Sequence, residues 1–85
     1  TYNYSEILHH VIQPENTPSE YKTGIRSLYG MLALEAVPIL EVAISNLKDD
    51  VDEDYWKATE GNVKRALNHL LTMCKMRPDA IIDGD

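Results

Sequence analysis

Several side chains in this sequence are of types that carry chemistry, and their spacing decides how far each can be taken. Asp50, Asp52 and Asp54 stand at alternate positions in the acidic run DDVDED. They match the first, third and fifth places of a helix-loop-helix calcium site, where carboxylates on a turning loop converge on a hard cation. The sixth place of that motif needs Gly and holds Tyr55. The twelfth needs a bidentate Glu and holds Gly61, with Glu60 one residue short. A solvated acidic loop is therefore the better reading, with a divalent-ion site on the three aspartates as its rival.

His9, His10 and His69 do not combine into a metal site. Neighbouring helical residues project about 100° apart, so His9 and His10 point away from each other. His69 and Cys74 fall on opposite faces of one helix, and no pair has the same-face spacing of a helical zinc site. Glu35 is more interesting. On a helical wheel it falls within the apolar arc of Tyr21, Leu28 and Leu32, which predicts a buried carboxylate. Such a group must be paired or hydrogen-bonded, and Arg26, Lys64, Arg65 and Tyr29 are the available partners. Lys64, Arg65 and Lys75 make the last helical stretch basic, the one hint of a phosphate-binding face. Lys75 near a helix C-terminus also has a purely structural explanation in the helix dipole. Neither a Gly-rich phosphate loop nor a nucleophile–base spacing is present, so the expectation is of no enzyme and no cofactor.

The elements that would position these residues read as helices throughout. Asn3-Tyr4-Ser5-Glu6 is a helix start, with Ile7, Leu8, Val11 and Ile12 facing inward and Pro14 stopping the helix. Thr17-Pro18-Ser19-Glu20 reads as a capping box with proline in the first turn, opening a second helix that runs to Val37. Gly24 and Gly30 within it would let a neighbouring helix approach closely. Pro38 lacks an amide hydrogen and crowds the preceding turn, at a cost of about 3 kcal/mol inside a helix. A break there is predicted, because an unbroken helix from Pro18 to Lys48 would be about 46 Å long. Thr59 caps the last helix, whose inward stripe is Val63, Ala66, Leu67, Leu70, Leu71 and Cys74. Tyr55 and Trp56 would anchor the acidic loop. The tail with Ile81 and Ile82 either folds back or is disordered.

The pattern predicts an all-α, compact four-helix bundle with helices over roughly 4–12, 18–37, 38–48 and 60–76, in a single helical domain spanning 1–85. The start at Thr1 rather than Met fits a domain excised from, or trimmed at the ends of, a longer chain. Its centre is Ser27–Leu47, an apolar run whose only charges are Glu35 and Glu41. These two carboxylates, Pro38 and Asn46 argue against a membrane span. The chain has 85 residues, 44% hydrophobic, with a net charge of −6. That charge disfavours nucleic acid and anionic membranes as general partners. A single cysteine and no visible leader point to the cytoplasm.

A domain this small buries a limited share of its surface, so an apolar run of this length predicts contact with a second molecule. The expected role is a non-catalytic module for protein–protein interaction or homo-oligomerisation, acting through Met31, Leu34, Val37 and Ile39. Two readings compete with it. One is a nucleic-acid-associated regulator using Lys64, Arg65 and Lys75; the other is a small metal-dependent hydrolase built on Glu35 and the loop aspartates.

Overall fold

Leu8 and Ile12 lie one helical turn apart, and burying them fixes the first element. In the computed structural model, which describes residues 4–48 and 59–84, helix α1 spans Ser5–Val11. Tyr4, Leu8 and Ile12 enter the core, and Ile7 and Val11 pack at its edge. Asn3, expected to cap this helix, lies outside the described residues, and the cap position is held by Tyr4, whose side chain makes no capping bond.

The second predicted helix does not form. Pro14–Gly24 is irregular, and only a short 3-10 turn follows at Ile25–Leu28. The Thr17 hydroxyl, expected to cap a helix, makes other bonds instead, and so does that of Ser19. Thr17 accepts from the Ser19 amide at 3.0 Å and donates to the Ser27 carbonyl. Ser19 accepts from the Tyr21 amide at 3.0 Å and donates to the Arg26 carbonyl at 2.7 Å. Short hydroxyl side chains compete with the helix for backbone partners in this way, and here the loop wins.

The two glycines complete the departure from a helix. Gly24 (φ 79°, ψ −173°) and Gly30 (φ 91°) take conformations closed to other residues at low cost. Gly24 also joins α1 to the 3-10 turn: its amide donates to the Ile12 carbonyl at 2.9 Å, and its carbonyl accepts from the Ser27 amide at 3.1 Å. A Cβ at Gly24 would stand 3.0 Å from the His9 ring. Gly24→Ala is therefore expected to destabilise the fold by about 1–3 kcal/mol, read as a lower urea midpoint. An unchanged midpoint would contradict this conformation.

Helix α2 spans Ala33–Ser45 and runs straight through Pro38. The predicted break is displaced to Gly30, for two reasons. Starting at Ala33, the helix is about 20 Å long, so its length no longer argues for interruption. Pro38 also lies on the exposed face near the start, where water can replace the one bond it removes.

Helix α3 spans Glu60–Met76 and forms as its pattern predicts. Thr59 caps it, accepting from the Asn62 amide at 3.1 Å. Val63, Leu67, Leu71 and Cys74 share the core with the α2 seam of Ala33, Ala36, Leu40 and Ala43, whose three alanines permit close approach, and with Leu47 just beyond it. The pair is antiparallel. The Glu60 carboxylate accepts the Lys48 amide at 3.0 Å at one end. At the other end, Leu34 donates to the Pro78 carbonyl at 3.0 Å.

The architecture is compact and all-helical, with three helices among the described residues rather than four. Beyond α3 the chain turns back, and Ile81 pairs with Leu32 in an isolated antiparallel bridge.

Candidate functional site

The start of α2 and the end of α3 meet the returning tail, and this end of the molecule gathers exposed apolar side chains. Leu34, in the first turn of α2, is 61% exposed; Leu32 and its bridge partner Ile81 are 38% and 59% exposed. Met76 closes α3 at 74% exposed, two residues before the Pro78 carbonyl that Leu34 contacts. A lone exposed leucine is ordinary on a protein surface, whereas several at one end mark a face suited to contact.

Polar support for this end comes largely from the backbone. The first amides of a helix have no partner within it. In α2 the Ala33 amide donates to the Ala80 carbonyl at 2.7 Å and the Leu34 amide to that of Pro78. Glu35 accepts the Leu32 amide at 3.0 Å, one half of a capping box. Glu35 is exposed, so the expectation of a buried carboxylate is overturned. The buried position holds only on the wheel of a helix running from Pro18, and the break at Gly30 resets the phase. Glu35→Ala is expected to cost about 0.5–2 kcal/mol through loss of this cap, measured by urea unfolding. No loss would mean that the bond contributes nothing.

The four residues predicted as a contact surface are divided. Leu34 is exposed as expected, Val37 and Ile39 are half-buried against the core, and Met31 is only 4% exposed. Met31 is therefore a core residue, because the turn at Gly30 directs it inward. Met31, Ile39 and Glu35 line an open cleft of about 560 Å³ together with Glu15, Pro14 and Pro18. Leu32, Met76 and Ile81 were not singled out by sequence. Met76 could have been, since it falls off the inward stripe of α3; the other two depend on the tail.

The remaining candidates are placed more simply. Lys75 stands 3.7 Å from Glu41 of α2, so part of the basic face has an acidic partner within the chain. Lys64 is half-buried and Arg65 exposed on the same helix. His9 is hydrogen-bonded to the Thr23 hydroxyl at 2.7 Å. Burial pushes the Cys74 thiol pKa up. Asp50, Asp52 and Asp54, with Tyr55 and Trp56, lie outside the described residues. Among the described residues, no three His, Cys, Asp or Glu side chains converge as a metal site. No helix among them is long and apolar enough to cross a membrane.

Comparison with protein-family models, curated proteins and solved structures finds no match to this chain.

Proposed function

We propose that the chain is a non-catalytic protein-interaction module that associates with copies of itself through the end formed by Leu32, Leu34, Met76 and Ile81. The observation that carries this reading is the exposure of Leu34, at 61%, at the end of the molecule where the exposed Ile81 and Met76 also lie. Covering these exposed apolar side chains is favourable at about 25 cal/mol per Å². The acidic balance, with a net charge of −6, suits a contact driven by apolar area more than one driven by phosphate.

Light scattering across a concentration series tests the proposal. A discrete oligomer whose population grows with concentration is the expected result. A monomer at every concentration would refute self-association.

A further inference from the structure

The returning tail is held on the body mainly by its backbone. Ala80–Gly84 lies antiparallel to Gly30–Ala33, with the Gly30 amide donating to the Ile82 carbonyl at 2.9 Å and the Ile82 amide to that of Met31 at 2.8 Å. The Ala33 amide takes the Ala80 carbonyl, as described above. Of the tail side chains only Ile82 is partly buried; Ala80, Ile81, Asp83 and Gly84 are exposed. An element attached with so little side-chain burial opens locally far more readily than the helices beneath it.

Its hinge is equally slight. Arg77–Ala80 is a turn with Pro78 at its second position, closed by the Ala80 amide on the Arg77 carbonyl at 3.1 Å. Releasing that bond redirects the chain beyond Asp79 and leaves both α3 and the Leu34–Pro78 bond in place. The groove it vacates suits this particular segment. Gly84 packs against the Tyr29 ring, where a Cβ would stand 2.5 Å from the Tyr29 hydroxyl, so a residue without a side chain fits there with Tyr29 left in place. The amides of Gly30 and Ala33 also require carbonyl acceptors at the spacing this tail supplies. A second copy of the chain offers the same glycine and the same carbonyls, and its approach covers Leu32, Met76 and Ile81.

We infer that Ala80–Gly84 exchanges between two copies, each tail leaving its own body at the Arg77–Ala80 turn and pairing with Gly30–Ala33 of the other. The hydrogen bonds opened in one body are remade in its partner, so chain concentration and the apolar surface covered decide the balance. This inference rests on the proposal that copies associate through this end, and it specifies how they do so.

Leu32 and Ile81 face each other as a non-hydrogen-bonded antiparallel pair, whose short separation suits a disulfide. Leu32→Cys copies and Ile81→Cys copies of different mass are mixed at high concentration, oxidised and separated without reductant. Circular dichroism first verifies helicity, which both exposed positions should tolerate, and the buried Cys74 thiol should remain unreacted. Exchange predicts a mixed disulfide exceeding either self-linked product several-fold. The double variant carrying both cysteines should close its disulfide efficiently, which establishes that the pair can react. Mixed product no greater than random pairing gives would overturn the exchange. If that result accompanies a concentration-dependent oligomer, association stands and only the role of the tail fails. If it accompanies a monomer, both fail.

Discussion

Replacing Leu34 with Asp is expected to leave the three helices in place and to weaken self-association by about 100-fold. The two halves of this expectation have separate causes. Leu34 occupies the first turn of α2 and is 61% exposed, so the substitution removes little core packing. A carboxylate at a helix N-terminus also gains about 0.3–1 kcal/mol from the dipole, which favours folding. In the associated form the same carboxylate would be desolvated against apolar side chains, at a cost of several kcal/mol. Each 1.4 kcal/mol is tenfold in affinity, so about 3 kcal/mol gives the stated loss. Light scattering measures the association and circular dichroism the helicity. Leu34→Gln, which adds no charge, should weaken association less and serves if the Asp variant misfolds. Unaltered association in both variants would place the contact elsewhere on the surface.

The largest stability effect is expected at Leu40. It is fully buried in the α2 seam, facing α3. Its seam neighbours one turn away on either side, Ala36 and Ala43, have no side-chain torsions with which to fill a void. Truncating a buried leucine costs about 2–5 kcal/mol depending on how far the site collapses, and a seam of alanines places Leu40→Ala towards the upper end. A domain of this size has about 5–15 kcal/mol in total, so up to half or more of its stability would be lost. In a domain of about this length each kcal/mol moves Tm by about 4–8 °C, so thermal unfolding should shift by more than 10 °C. Val42→Ala on the exposed side of the same helix should change stability by about 0.5 kcal/mol or less. A loss below about 1 kcal/mol at Leu40 would contradict the packing of α2 on α3.

What could be read in advance divides along the range of the interactions involved. Helix α3 was legible nearly to the residue, because Thr59, the stripe from Val63 to Cys74 and Pro78 all act within one turn of themselves. Helix α1 was legible from its stripe of Ile7, Leu8, Val11 and Ile12 and from Pro14, though not from its cap, which falls at Tyr4 rather than Asn3. Thr17-Pro18-Ser19-Glu20 carries an equally clear local signature, yet no helix follows it. The Thr17 hydroxyl that would cap a helix donates to the Ser27 carbonyl instead, and Ser19 donates to that of Arg26, partners that exist only once Gly24 and the 3-10 turn bring the chain round. Glu35 and Met31 change places with respect to water for the same reason, since a continuous helix from Pro18 buries Glu35 and exposes Met31, and the chain that turns at Gly30 does the reverse. Leu34 escapes the change because it is exposed in either arrangement.

By itself, then, the sequence established a helical chain with a long apolar centre, a firm last helix and an acidic balance, since periodicity, capping and composition are properties of neighbouring residues. The folded molecule alone decided where the centre breaks, which face of α2 is wet, and that the tail returns to satisfy the first amides of α2. Those outcomes depend on hydrogen bonds such as Ala33 to Ala80 and Leu34 to Pro78. Their partners lie more than forty positions apart, and no local pattern of side chains encodes a backbone carbonyl arriving from that distance.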